Sequence, residues 1–372
     1  NVAFRRRSSL SFEASRKTVI DAVVWVFVDR FVAKKLLLSQ RSLDRAIDSA
    51  CRHVFSKLEK WTLLIPCHLW SQEDPDHFAV GPVRFERAQK ALASLDELRT
   101  ANLPDTLRET CLEFAHQSGW VAAVSVDRAD ADIARHRSAD AVDAAINLLR
   151  LFLDPHRTRR LRRADSWGPP ATHAYFRVTE TGEINTIVHI GGSDEIVWQN
   201  WPELLDGDNA PVLAFAASAI DGLIDPLSMR PLQQRFLDAL KWFGDGVSEA
   251  SLAARVTKYI FAWERLVIAA ERRTGANNDV TANVCNRTVR LCEYTIGDRG
   301  PDLRRIIAKV YDARSRLAHG SASPLDRSRV EEIALASEQL TVRALFGALR
   351  HYWLLGQCGG SDAELDASFE SS

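Results

Sequence analysis

The segment "VYDARSRLAHGSAS" (310–323) brings together residue types that could break a phosphodiester bond. Arg314 and Arg316 precede one imidazole, His319, and Gly320 follows it directly. A guanidinium keeps its charge at any working pH and can hold two phosphate oxygens at once. An imidazole titrates near neutrality and can move protons, which typically contributes about 10²–10⁴-fold to a rate. RNA carries its own nucleophile, the ribose 2′-OH. An enzyme of this kind has only to remove that proton, stabilise the charged phosphorane and protonate the leaving 5′ oxygen.

The same residues also suit an ordinary helix end. Gly320 is a natural C′ residue, because glycine accepts the left-handed conformation that closes helices. His319 would then be the last helical position, where an imidazole can bond free carbonyls and a cation suits the dipole, as Arg314 and Arg316 do. At ~100° per residue, Ser315 and Arg316 fall within roughly 40° and 60° of His319, and Asp312 within about 20°. Arg314 lies roughly 140° round the cylinder, so in one straight helix it points elsewhere. An i,i+4 pair between Asp312 and Arg316 is expected, as a structural contact rather than a catalytic one.

"YDARSRLAHG" resembles the signature of HEPN domains: an arginine, a polar residue, three more positions and a histidine near a helix end, here Arg314, Ser315 and His319. The wording Y-D-x-R-S-x-x-x-H-G is similar to the ApeA-like branch of that superfamily. "LDALKWFGDG" and "YIFAWERLV", the latter with the lone acid Glu264, agree with it, and the likeness covers about residues 229–356. "IPCHLW…FAVGPVRF" and "GWVAAVSV" resemble, more loosely, N-terminal regions of ApeA-like proteins. The resemblance implies a metal-independent endoribonuclease without a cofactor, with His319 as acid/base and Arg314 as phosphate clamp. Products would carry 2′,3′-cyclic phosphate and 5′-hydroxyl ends. It further implies a homodimer whose two motifs meet across the two-fold, which would let Arg314 face the partner's histidine. Ser315 would bond phosphate or orient the imidazole, and Glu264, if buried near the motif, would fix Arg314. An anti-phage effector acting on RNA such as tRNA, restrained until a phage-derived activator or regulatory partner releases it, is the biological role implied. The alternative is a non-catalytic HEPN module that binds nucleic acid or protein.

Other constellations are weaker. "HRTRRLRR" supplies Arg157, Arg159, Arg160, Arg162 and Arg163, which could track a nucleic-acid backbone beside Trp167 or could form a solvated helix end. Asp74, Asp76 and His77 have cation-holding types but sit in an expected turn. No phosphate-binding G-x-x-x-x-G-K-[ST] loop, G-x-S-x-G elbow or H-E-x-x-H motif occurs, so no metal is expected.

The elements that must position these groups follow from periodicity. Strands are expected at 61–70, 77–86 and 119–127, a hairpin at 173–192, and helices at 87–100, 105–117 and 139–153. After about 205 the strand signals stop. Helical spacing fills 210–224, 231–246, 248–273 (with Ser248 as N-cap), 279–295, 302–318 and 325–354. The fold expected is α+β: a mixed α/β sensor or regulatory region (1–205), a connecting helix (206–228), an all-α HEPN-type bundle (229–356) and a disordered acidic tail (357–372).

Composition sets the outer bounds. The 372 residues carry a net charge of −1, so attraction to an anion must be local. Arginine dominates the 48 basic residues, a bias that genomic base composition explains, so only individual arginines carry weight. None of the six cysteines forms a C-x-x-C pair, which fits a reduced, cytoplasmic protein; Cys285 and Cys292 are expected in the core. The apolar run at 22–28 is far too short to span a membrane, which needs about 20 residues, so no membrane partner is expected.

Overall fold

The computed structural model describes residues 10–70, 75–91, 109, 113, 118–166, 172–178, 184–190, 210–268, 280–296, 301–356 and 360–370. It is α+β, with an N-terminal antiparallel sheet followed by a C-terminal helical region. Before the sheet stands a helical hairpin. Helix α1 (Arg16–Phe27) runs into a π-helical segment (Val28–Ala33), and α2 (Gln40–Phe55) returns along it. Ala22, Val26, Ala46 and Ala50 are buried where the two helices meet.

The sheet holds β1 (Glu59–His68), β2 (His77–Val80), β3 (Val83–Arg87), β4 (Gly119–Ala129) and the short β5 (Arg162–Arg163), in the order β2-β3-β4-β1-β5. The expected strand at 77–86 is in fact two. Gly81 breaks it with φ +57°, and an added Cβ there would meet Ala217 at 3.0 Å. β6 (Thr172–Val178) and β7 (Ile184–Ile190) pair as a separate hairpin. Most of 87–100 and 105–117, and the Thr181-Gly182 turn, lie outside the described residues.

Helix α3 (Ala131–Leu153) joins the two halves. Asp130 caps it, accepting from the Ile133 N–H at 2.9 Å, and also accepts from the Ser15 N–H at 2.7 Å, which pins the N-terminal hairpin to this point. From Ala141 to Leu151 almost every side chain is buried, because α3 packs on the sheet and also on α4 (Ala210–Ile224) and α5 (Pro231–Val247). Small residues permit this: an added Cβ at Gly244 would fall 2.0 Å from the Asn147 amide. One hydrophobic cluster therefore runs from Val83 and Trp120 in the sheet to Leu349 and Tyr352 in the bundle.

The bundle continues with α6 (Leu252–Val267), α7 (Val280–Ile296), α8 (Pro301–Ala318) and α9 (Arg327–Gly356). Ser248 does not start a helix as expected. It closes α5, and Ser251 caps α6 by accepting from the Ala254 N–H at 3.4 Å. Cys285 and Cys292 are buried. The acidic tail is also corrected. Asp362–Glu370 forms a helix, α10, that buries Leu365 and Phe369 and sends Asp362 and Asp366 to Arg235 and Arg287. No helix among the described residues is long and apolar enough to cross a membrane.

Candidate functional site

Helix α8 faces the bundle with Ile307, Val310, Tyr311 and Ala313, all buried, and this fixes where the motif points. Arg314 follows on the edge of that face and leans onto α6. Its guanidinium carbon lies 5.3 Å from the centre of the Phe261 ring, and its Nη2 is 3.8 Å from Oε1 of Glu264. The same Glu264 oxygen accepts a hydrogen bond from the Tyr311 hydroxyl at 2.9 Å. Burial, reinforced by the Glu264 charge, pushes the Tyr311 phenol up to about 12, so it remains a donor. Phe261 and Glu264 are thus three apart on α6, and Tyr311 and Arg314 three apart on α8. Two i,i+3 pairs meet across the helix interface.

The contact holds Arg314 without saturating it. A 3.8 Å ion pair is looser than a bidentate fork, and Nε is shielded from solvent with no hydrogen-bond partner among the described residues. The side chain keeps 24% exposure, so its outer nitrogens reach the surface.

Helix α8 is closed by backbone N–H groups, with the Ser321 hydroxyl also donating to the Arg316 carbonyl at 3.3 Å. Gly320 takes φ +73°, its N–H donates to the Leu317 carbonyl at 3.3 Å, and the Ser321 N–H donates to that of Arg316 at 2.9 Å. That is the pairing of a Schellman cap. His319 is the last residue before the glycine. Its N–H donates to the Ser315 carbonyl at 3.0 Å, and its ring is exposed with no hydrogen bond among the described residues. The imidazole is therefore not needed to cap the helix. Ser315 is half-buried one turn earlier.

Arg316 and Asp312 stand 4.0 Å apart on the solvent side, a weak surface pair. Both line a pocket of about 280 Å³ between the end of α8 and the start of α9, together with Lys309, Ser321, Ser323 and Arg329. Within one chain, Arg314 turns towards α6 while His319 turns to solvent, and no hydrogen bond joins them among the described residues.

The arginine run at 157–163 does not form one exposed cationic face. Arg163 is only 18% exposed and is held by Asp143 at 2.8 Å and Asp165 at 2.9 Å. Arg159 turns inward to the Glu249 carbonyl at 2.7 Å, and Arg162 sits in β5 opposite His68. Arg157 stands 3.9 Å from Asp154, Arg160 is half-buried, and Trp167 lies outside the described residues. The run folds into the seam between sheet and bundle, where inward guanidiniums satisfy carbonyls. Asp76 is taken by His77 and by Lys90, the latter at 3.0 Å, and Asp74 lies outside the described residues. Among the described residues no group of three or more His, Cys, Asp or Glu could hold a metal ion.

Sequence reasoning gave no role to Phe261 or Tyr311. The signal was present in their i,i+3 spacing to Glu264 and Arg314, but it gains meaning only once α6 and α8 are known to touch. No family model, no curated protein and no solved structure matches the chain.

Proposed function

We propose that the chain is a metal-independent endoribonuclease of the ApeA-like HEPN type, acting in the cytoplasm as an anti-phage effector. The observation that carries this reading is the half-committed Arg314. It is oriented by Glu264 and Phe261, keeps open donors, and lies five residues ahead of a solvent-facing His319. In the reaction, a base removes the proton of the ribose 2′-OH and that oxygen attacks phosphorus. The P–O5′ bond breaks, and the leaving 5′ oxygen takes a proton. His319 supplies a proton-transfer group and Arg314 neutralises the phosphorane oxygens. Because the two side chains diverge within one chain, the second proton-transfer group and the closing of the site fall to a second copy across a two-fold. The N-terminal half serves as sensor or restraint.

A second reading, a non-catalytic module that binds nucleic acid or protein, draws support from that same divergence. Incubating the purified chain with tRNA or mRNA in EDTA separates the two. Cleavage leaving 2′,3′-cyclic phosphate ends, lost by about 10²-fold or more in His319→Ala and Arg314→Ala and less affected in Arg316→Ala, is the expected result. Binding without cleavage, cleavage only with added divalent metal, or a dead Arg316→Ala beside an active Arg314→Ala would overturn the assignment.

A further inference from the structure

The N-terminal hairpin leaves open an apolar surface that the fold does not use. Eight of the 18 exposed large hydrophobic side chains among the described residues fall between Ile20 and Leu38. Five of them, Ile20, Val24, Val28, Val32 and Leu36, repeat every four residues and are 47%, 53%, 49%, 67% and 48% exposed. On a pure α-helix of ~3.6 residues per turn such a row would drift steadily round the cylinder. Here the chain switches to the wider π-helix from Val28 to Ala33, which offsets the drift and keeps Ile20, Val24, Val28 and Val32 on one side. Trp25 joins it at 58% exposure, its ring stacked 4.7 Å from that of His53, so the indole is held in place. The helix ends at Ala33 and Lys35 turns the chain with φ +47°, so Leu36, Leu37 and Leu38 lie beyond it, the last two at 90% and 70% exposure. At these exposures the eight side chains leave on the order of 900 Å² open. That exceeds the ~300–600 Å² largest patch of an ordinary monomer and approaches the ~800 Å² each partner buries in a standard interface.

We infer that this row is a self-association surface, covered by the same row of a second copy of this chain running antiparallel, with Val28 on the two-fold axis. About that axis the pairing sets Val24 against the partner's Val32. The charges agree with it. Asp21 lies exposed on α1, and the antiparallel two-fold turns it towards the end of the partner's helix that carries the exposed Lys34 and Lys35. A parallel arrangement would instead align Lys34 and Lys35 with themselves. The Asp21 carboxylate also sits where an anionic lipid surface would have to accept the helix, which favours a protein occupant. This pairing is independent of the nuclease reading and uses a different part of the molecule.

The test is sedimentation and cysteine cross-linking of the full chain. The assembly mass is expected to be at least twice the 41.6 kDa of one chain and to halve in Val28→Asp, which sets two carboxylates face to face. Asp21→Lys should weaken the pairing, and adding Lys35→Asp should restore it. Val28→Cys should form an intermolecular disulfide under mild oxidation. Val24→Cys and Val32→Cys should cross-link only when combined in one chain. Cys51, Cys67, Cys285 and Cys292 are buried and do not compete, and Cys111 and Cys358 are replaced by Ser in every cross-linking variant. An assembly mass unchanged in Val28→Asp, no cross-link through Val28→Cys, or a wild-type chain that stays monomeric and floats with phosphatidylserine vesicles would overturn the proposal.

Discussion

Two helix ends in the bundle treat the same problem in opposite ways. The C-terminus of α6 leaves four carbonyls without partners in its own helix, and each has a side-chain donor. Arg235 donates to the Arg265 carbonyl at 3.1 Å and to that of Ile268, Tyr352 to that of Leu266, and Arg287 to that of Val267 at 2.7 Å. Helix α10 completes the arrangement by setting Asp362 against Arg235 and Asp366 against Arg287. The C-terminus of α8 instead closes with Gly320 and backbone N–H groups, and no arginine is needed there. Cations near a helix C-terminus are therefore no evidence of a site by themselves. What separates the two ends is whether the donors are already committed to protein. At α6 they are; at α8 the Arg314 fork is only loosely held by Glu264, and the His319 ring has no hydrogen bond among the described residues.

The largest effect on stability should come from breaking the committed end. Arg235 is 1% exposed, and Arg235→Ala would leave two carbonyls and Asp362 without their cation, at a cost of about 3–5 kcal/mol in urea unfolding. His319→Ala, at an exposed position with no hydrogen bond to lose, should change stability by less than about 0.5 kcal/mol. The contrast fails if the two variants unfold together. Acid tests the same end. The hydrogen bonds from Arg235 hold the Asp362 carboxyl below its ordinary 3.8. A depressed folded pKa contributes stability that is complete above the unfolded value and is lost as pH falls through the folded one. Hydrogen exchange in α10 should therefore stay slow down to about pH 4 and rise only below it, and Asp362→Asn should remove that acid step.

How much of this was legible before the fold was known depends on the range of each contact. Helices α5 to α9 follow from their own apolar spacing, and the Gly320 stop from a single residue type. The tail was misread because "SDAELDASFE" is acidic and short. Its anchoring partners lie 127 and 79 residues away, beyond any local pattern. The i,i+4 spacing of Asp362 with Asp366, and of Leu365 with Phe369, was the only trace of them. The arginine run at 157–163 misled for the converse reason. Dense positive charge reads as a surface, yet the seam between sheet and bundle draws Arg159 and Arg163 inward to Glu249 and Asp143. The π-helical turn at Val28 has no sequence signal of its own.

A smaller effect should come from loosening the open end without removing its cation. Glu264→Gln keeps a hydrogen-bond acceptor for Tyr311 but takes away the charge that orients Arg314. Under the nuclease reading, cleavage should fall roughly tenfold, in kcat more than in KM, consistent with the ~1.5 kcal/mol scale of a charged contact. Tyr311→Phe frees Glu264 to close on Arg314 from 3.8 Å and should cost less activity than Glu264→Gln. If both leave kcat unchanged, Glu264 belongs to the packing of α6 on α8 and not to the site.

The smallest effect sharpens the comparison most directly, because it touches the cap and nothing else. Gly320 has φ +73°, and no atom lies within 4 Å of where a Cβ would be, so Gly320→Ala has no steric clash with its surroundings. Its penalty is purely that of a left-handed backbone, about 1 kcal/mol. Asn, which tolerates that conformation better, should cost less. Alanine favours an unwound last turn, and that turn carries His319, whereas Arg314 is held from α6. Under the nuclease reading, Gly320→Ala should therefore alter cleavage more than its loss of stability explains, while the proton-exchange protection of the Arg314 turn stays as it was. Equal loss of protection at both positions would mean that α8 frays as one unit, and that the half-held arginine is no better anchored than the ring.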